Sequence, residues 1–349
     1  MTFALSNRGG WVANVKSAPL EAAGDVMRKT VLALLTATLA LAGNASAENF
    51  PSRPITVVVP FAAGGPSDAM MRILGERMRA TLGQAILVEN TTGAGGSIGV
   101  GRVAHAPPDG YTVGFGHLGT HVANGAIYKL DYDLVSDLEP VVLLPSNPMI
   151  IVSKNAVPAK SLGELIAWLK SQPEPATAGT AGAGSGSHIA GLAFEHAAGV
   201  HLQYVPYRGT GPALNDLVAG QIDIIVDQTS NSINQVRAGT IRAYAVTDSK
   251  RLEQAPDIPT TDEAGLSGFH MTLWSGLWVP KGTPRQIVAR LNAAAVDALN
   301  DPRVRKQLET LGLQLPPADQ LTSEALGIWQ KAEIARWWPI IKAAHVKVD

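Results

Sequence analysis

The sequence predicts an α/β protein built as two lobes. Two patterns carry that prediction. β-Branched runs alternate with segments of helical periodicity, in the order strand, loop, helix, strand that defines a β-α-β unit. The series then occurs a second time, beginning near Val141, before a late strand and terminal helices that need a sheet to cover. The 349 residues suffice for about two ordinary domains.

The elements follow in order. Ile55-Thr56-Val57-Val58-Val59 reads as a buried strand, broken by Phe61-Ala62-Ala63-Gly64-Gly65. Pro66-Ser67-Asp68 opens a helix with Met71, Leu74, Met78 and Leu82 at helical spacing, and Gly83 ends it. A strand at 86–88, a Gly-rich lead into a short helix toward Ala104 and a strand at 111–115 complete the first series. In the second, residues 143–152 are strand material broken by Pro145 and Pro148. Ser161 and Glu164 form a capping box for a helix through Leu169. Residues 179–187 read as a Gly/Ser/Ala loop before a helix at 188–198. Strands at 203–205, 222–226 and 243–246 alternate with helices at 212–219 and 233–238. The stretch 248–269, rich in Pro and Gly, is a return connection to a strand at 273–279. Helices at 284–299, 304–311 and 323–344 close the chain. The expected organisation is one lobe from 48–147 with 273–349 and a second from 148–272, with chain crossings near 147 and 272.

The first 47 residues are expected to lie outside the fold. Met27-Arg28-Lys29 is positive, residues 31–42 are apolar, and Ala45-Ser46-Ala47 supplies small residues at a cleavage site. That order is a secretory signal. Twelve apolar residues fall short of the roughly 20 that span a bilayer. Residues 1–26 read as a misassigned start or an extended leader, with the mature chain beginning near Glu48. Cleavage removes four basic and two acidic groups and leaves a net charge of −3, against −1 for the whole chain.

Composition narrows the function. A near-neutral charge gives no general attraction for nucleic acid or an anionic membrane. An aromatic content of 5% argues against a stacking platform for single strands. The absence of cysteine excludes disulfides, thiolate catalysis, cysteine metal sites and lipid attachment through an N-terminal cysteine.

One feature recurs: a strand ends in a Gly-rich loop that opens a helix, at 61–68, 182–188 and 207–212. Helix N-termini present unpaired N–H groups and the positive dipole end, which suits anions. Each contributes about 0.3–1 kcal/mol, and up to ~2 where partly buried. Ordinary α/β turns share this composition, but three in one chain without a competing catalytic set point to binding of a carboxylate. Arg208 is the one cation inside such a loop, placed either to pair with a carboxylate or to sit in solvent. Asp227 to Ser230 follow a strand end, where open α/β sheets bind ligands, and Thr229, Ser230 or Asn231 can also cap a helix there.

Other motifs are weaker. Gly114, Gly116 and Gly119 match GxGxxG after a strand, but no acidic residue follows to hold a ribose. His117 and His121 stand four apart, which could place both on one helical face. Leu118 occupies the position where a zinc-protease motif needs Glu. Ser185, Ser187 and His188 suggest a hydrolase, yet the G-x-S-x-G elbow is absent, and Ser187 fits better as a helix cap donating to a ligand oxygen.

The motifs together resemble one family. Pro51-Ser52-Arg53-Pro54-Ile55 and Val58-Val59-Pro60-Phe61-Ala62-Ala63-Gly64-Gly65 with Asp68 open the series. Glu89-Asn90, Gly93-Ala94-Gly95-Gly96, Pro108-Asp109-Gly110-Tyr111-Thr112 and Val205-Pro206-Tyr207-Arg208-Gly209 follow. Ala219-Gly220-Gln221-Ile222-Asp223, Pro259-Thr260 with Glu263-Ala264-Gly265, and Gly282-Thr283-Pro284 complete it. This resembles the Bug family of periplasmic solute receptors, the binding components of tripartite tricarboxylate transporters, across essentially the whole mature chain. The resemblance implies a two-lobed Venus-flytrap fold with the ligand in the cleft. It places one carboxylate against the first loop, here Phe61, Ala62, Gly65, Ser67 and Asp68. The opposing lobe contributes Ser185, Ser187 and His188, the loop of Tyr207, Arg208, Gly209 and Thr210, and Asp227. His117 and Thr120 stand in a loop that often carries small hydroxyl residues in relatives, and Arg208 stands where Lys is common. The implied function is capture of a dicarboxylate, an amino acid or an aromatic or pyridine carboxylate for uptake. No enzyme activity, cofactor or metal is expected. The protein is expected to be a periplasmic monomer that docks on membrane transporter subunits and binds no nucleic acid. A sensory receptor for the same ligands and a carboxylate hydrolase or lyase are the alternatives.

Overall fold

The computed structural model describes residues 50–343. The leader expected at 1–47 lies outside them. In the first series, β1 (Ile55–Val59) is β-branched and buried almost throughout. It pairs in parallel with β2 (Ile86–Asn90) and β3 (Thr112–His117). Between β1 and β2 runs α1 (Pro66–Leu82), which buries Met71, Leu74, Met78 and Leu82 on one face. Gly83 stops it at φ +72°, with its N–H on the Arg79 carbonyl, a conformation glycine adopts without strain. A 3₁₀ turn (Ala94–Gly96) leads into α2 (Ser97–Ala104). After β3, a π-helical turn (Gly119–Ala123) runs into the short α3 (Asn124–Ile127).

The strand β4 (Leu138–Lys154) then ties the two series together. The second series is α4 (Leu162–Ser171), β5 (Ala176–Thr180), α5 (Gly186–Ala198), β6 (Leu202–Pro206), α6 (Thr210–Val218), β7 (Ile224–Gln228), α7 (Thr229–Arg237) and β8 (Ile241–Val246). The chain returns through β9 (Thr272–Pro280) and ends in α8 (Arg285–Asn300), α9 (Pro302–Thr310) and α10 (Ser323–Ala343). The strands join in the order β2-β1-β3-β9-β4-β7-β5-β6, with β8 also on β4. The first part of β4 pairs antiparallel with β9, up to Pro148 opposite Thr272. From Met149 onward it pairs with β7, and from Ile150 with β8. One strand thus belongs to both halves of the sheet, and the residues from Pro51 onward cohere as one unit.

Two local expectations are corrected. Pro145 and Pro148 do not break the strand: β4 runs through both as one element of 17 residues. A register shift between Leu144 and Asn147 accommodates Pro145, another between Pro140 and Val142 follows Pro140, and Pro148 stands where β4 leaves β9 for β7. The stretch from 179 is not loop from its start, because β5 ends at Thr180 between β6 and β7. Its loop-like composition has a packing cause. A Cβ on Gly179 would come within 2.6 Å of Ile222 and 3.1 Å of Ala213, so only small residues fit beneath these neighbours.

The last helix is fastened by indoles. Trp274 Nε1 donates to Glu333 (3.0 Å) and Trp278 Nε1 to Gln330 (3.1 Å). Gln330 in turn donates to the carbonyls of His121 and Leu134 (3.0 Å each). Among the described residues no helix is long and apolar enough to cross a membrane.

Candidate ligand-binding site

Four helices begin at one small enclosed space. Its wall comprises Phe61 in the loop after β1, Gly65, Pro66 and Ser67 at the start of α1, and Gly186 and Ser187 at the start of α5. Gly209 and Thr210 at the start of α6 and Gln228 at the start of α7 complete it, together with His117 and Ala181. The N-caps of α1, α6 and α7 are Gly65, Gly209 and Gln228, and none makes a side-chain cap bond. The backbone N–H groups of Ser67, Gly186, Ser187 and Thr210 donate to no group among the described residues. Positive dipole ends and free donors therefore converge on a chamber of about 10 Å³, room for about one water.

The side chains around it are set by their own partners. His117 ends β3, is 2% exposed, and stacks on Phe61 with ring centroids 4.9 Å apart. Its Nδ1 accepts the Gly119 N–H (3.0 Å), which leaves the proton on Nε2. Burial pulls its pKa down to about 4, so the ring is neutral at physiological pH. Ser187 Oγ accepts the Ala181 N–H (2.9 Å) and lies 3.2 Å from Ser185 Oγ. Gln228 Oε1 accepts from Asn147 (3.3 Å). The wall thus holds hydroxyl, imidazole and amide groups, and neither a cation nor a carboxylate.

Several expected residues stand behind this wall. Asp68 is 4% exposed and pairs with Arg72 through both carboxylate oxygens (2.9 Å each), while accepting the Gly64 N–H (3.0 Å). Burial pushes its carboxyl up, but Arg72, Gly64 and Asn90 outweigh that, and it lies below its ordinary value. Asp227 is fully buried and accepts from the Gln228 N–H (2.8 Å), Asn231 (2.7 Å) and Ser232 (2.5 Å). There burial wins over Ser232, Asn231, Gln228 and Thr210, and the pKa rises to about 6. Thr120 accepts the His117 N–H (3.0 Å), and Ser185 caps α5 by accepting the His188 N–H (3.3 Å). His121 does not share a helical face with His117. It sits in the π-helical turn, with Nδ1 on Thr120 Oγ1 (3.0 Å) and its ring stacked on Trp278 (3.8 Å). Burial and the neighbouring His117 lower its pKa to about 3. Among the described residues no cluster of three or more His, Cys, Asp or Glu could hold a metal ion.

A second, larger space adjoins the chamber, a cleft of about 840 Å³. Gly93 to Gly96 and Tyr128 line one side; Thr180 to Ala183, His188, Tyr204, Tyr207 and Arg208 line the other. Ala181 belongs to both walls. A seam separates the spaces, where the Ala62 N–H donates to the Arg208 carbonyl (2.9 Å). Glycines make this seam close. A Cβ on Gly95 would meet the Ala183 carbonyl oxygen at 2.1 Å, and one on Gly119 would meet the Gly186 nitrogen at 2.8 Å. Tyr128 adds a bond from its hydroxyl to the Ala183 carbonyl (2.8 Å).

The structure thus brings Phe61, Gly65, Ser67, His117, Ser187, Gly209 and Thr210 to the chamber, and His188, Tyr207 and Arg208 to the outer cleft. Ala62 serves the seam through its backbone. Sequence reasoning placed Gln228 in a candidate stretch at a strand end but missed the start of α7 there, because Thr229 and Ser230 read as caps for a helix beginning at 233. It also missed Tyr128 and Tyr204, which no motif marks.

Fold and site together are those of a two-lobed solute-binding protein. Residues 70–346 match the family described as "Tripartite tricarboxylate transporter family receptor", and the chain belongs to that family. Among solved structures it is similar to MatC from Rhodopseudomonas palustris with bound malate, at 43% identity and TM-score 0.81, covering 84% of this chain and 100% of that one. It is similar to the periplasmic binding protein BugD, at 39% identity and TM-score 0.82, covering 85% and 99%. It is also similar to Rpa4515 of R. palustris with adipate, at 31% identity and TM-score 0.81, covering 85% and 99%. These are solute-binding receptors rather than enzymes, and the Bug resemblance of the sequence holds.

Proposed function

We propose that this protein captures a small dicarboxylate in the periplasm and delivers it to a tripartite transporter. The observation that carries the reading is the meeting of four helix N-termini at a chamber walled by donors and free of carboxylates. A carboxylate there would accept from Ser67, Ser187 and His117 Nε2, and from the first-turn amides, that of Thr210 among them. Such charge-assisted bonds are the stronger class and need no arginine. The malate and adipate held by the two R. palustris relatives support the ligand class.

The chamber holds about one water, so a ligand enters by opening of the seam. The lobes in this reading are 48–147 with 273–349 and 148–272, hinged where β4 leaves β9 for β7. The signal at residues 27–47 would export the chain as a monomer, and the closed form would dock on the membrane subunits. The test is a thermal-shift panel on refolded, ligand-stripped protein with di- and tricarboxylates, acidic amino acids and pyridine carboxylates. A ligand at about 100 times its Kd adds about 2.7 kcal/mol of stability. A dicarboxylate that raises the melting temperature and is recovered unchanged supports the reading. A panel in which no carboxylate raises the melting temperature sinks it.

A further inference from the structure

One side chain of the chamber wall has its polarity decided from outside the chamber. Gln228 is 7% exposed, and its amide carries an acceptor, Oε1, and a donor, Nε2. Which end meets a ligand depends on which end a neighbour takes. That neighbour is Asn147, fully buried where β4 passes from β9 to β7: Asn147 stands opposite Leu273 of β9, and Met149 opposite Gln228. The Asn147 amide has one orientation open to it. Its Oδ1 accepts the Ser230 backbone N–H (3.3 Å), a group that can only donate, so the other end is Nδ2. Nδ2 donates to Ser230 Oγ (2.5 Å) and to Gln228 Oε1 (3.3 Å). The Thr229 hydroxyl donates to the Pro148 carbonyl (2.7 Å), which also holds the start of α7 against β4. With Oε1 taken, Nε2 is the free end of Gln228. It donates to no group among the described residues, yet it keeps contact with open space, since Asn124 Oδ1 is the one fully buried side-chain N or O atom without a partner among them.

We infer that Gln228 Nε2 is a further carboxylate donor of the chamber, and that Asn147 is the positioning residue that aims it. This rests on the carboxylate reading of the chamber and adds a determinant of its sign. The backbone N–H groups of the wall are donors whatever surrounds them. A side-chain amide is different, because turning it end for end replaces a donor by an acceptor. An acceptor facing a carboxylate repels it, whereas an N–H there makes a charge-assisted bond. The direction of the Asn147–Gln228 bond therefore decides whether this part of the wall attracts the ligand or rejects it, and that direction is set on β4 at the point where the strand changes partner.

The experiment titrates malate calorimetrically into the wild type, Asn147→Asp, Gln228→Leu, the double variant and Gln228→Glu. If another dicarboxylate binds in place of malate, it becomes the probe for the same comparisons. In Asn147→Asp the new carboxylate accepts from both the Ser230 N–H and Gln228 Nε2, so the amide turns and shows Oε1 to the chamber. That variant should weaken malate about 10- to 100-fold, and Gln228→Leu about tenfold. In the double variant no amide remains to turn, so its loss should fall at least about tenfold short of the product of the two. Gln228→Glu should weaken malate at least about tenfold at pH 8 and regain part of that by about pH 5.5, relative to the wild type at each pH, as the introduced carboxyl takes up a proton and donates again. Losses that multiply in the double variant overturn the positioning role. Malate binding to Gln228→Leu within about twofold of the wild type overturns the donor, as does a Gln228→Glu deficit that stays constant with pH. If no carboxylate binds the wild type, the chamber reading itself has failed and this inference falls with it.

Discussion

Asp227 is a carboxylate placed where a protein stabilises its neutral form. Its pKa rises to about 6, against about 3.9 in an unfolded chain, because full burial outweighs its donors. The folded state therefore holds this proton at pH values where the unfolded chain has lost it. The associated stability is present below about pH 4 and is lost as the pH rises through 6, about 3 kcal/mol in all. Asp227→Asn removes that dependence. Its melting temperature, relative to the wild type, should climb by several degrees between pH 4 and 7, measured by calorimetry at matched ionic strength. A difference that stays flat across that range would show that Asp227 titrates normally. Ser67 makes a cleaner probe of the chamber, since its hydroxyl makes no hydrogen bond among the described residues. Ser67→Ala should weaken a bound carboxylate by roughly tenfold with little change in the unliganded melting temperature.

At the level of elements, the helix starts and the sheet were legible to different degrees. α1 was readable end to end, because Pro66, the apolar stripe and Gly83 each have a local physical role. Three of the four helix starts at the chamber were readable, because glycine marks the loops before α1, α5 and α6. The fourth lacks glycine, and its position depends on β7 extending to Gln228. β5 was hidden because tight packing selects loop-like residues, and β4 because a register shift and a change of partner accommodate its prolines. The separation of chamber from cleft was not legible at all, since it arises from a contact between Ala62 and Arg208, far apart in the chain. The turn Gly119–Ala123 supplies the matching prediction. Gly119→Ala places a methyl 2.8 Å from the Gly186 nitrogen and 2.9 Å from the Gly184 oxygen. It should cut ligand affinity by tenfold or more and, in small-angle scattering with saturating ligand, keep the larger radius of an open form. α10 supplies another. Glu333 accepts from Trp274 and from Trp337 (3.1 Å) while only 6% exposed. Glu333→Ala leaves two indole donors without their acceptor and should cost about 2–3 kcal/mol in urea unfolding.

At the level of the whole molecule, three buried histidines set the acid limit. His117 and His188 are lowered to about 4 and His121 to about 3, each chiefly by burial. A histidine whose folded pKa lies below its unfolded value of about 6.5 is stabilising above that pH, and the contribution is lost as pH falls toward 4. Near pH 5 unfolding takes up close to three protons from these rings and releases about one from Asp227. The melting temperature should therefore fall steeply below pH 6, with a net uptake of roughly two protons. A flat profile between pH 6 and 5 would contradict the buried, neutral state of all three.

The stacked pair of His121 and Trp278 has a further consequence. The imidazole lies 3.8 Å from an indole with no solvent exposure, and it rides on the same turn as Gly119, which touches Gly184 and Gly186 across the seam. Any displacement of that turn changes the overlap of the two rings. The molecule thus carries its own optical gauge: tryptophan emission will change in intensity as the seam parts, without an attached dye. Trp278→Phe will silence that signal while the remaining tryptophans still fluoresce.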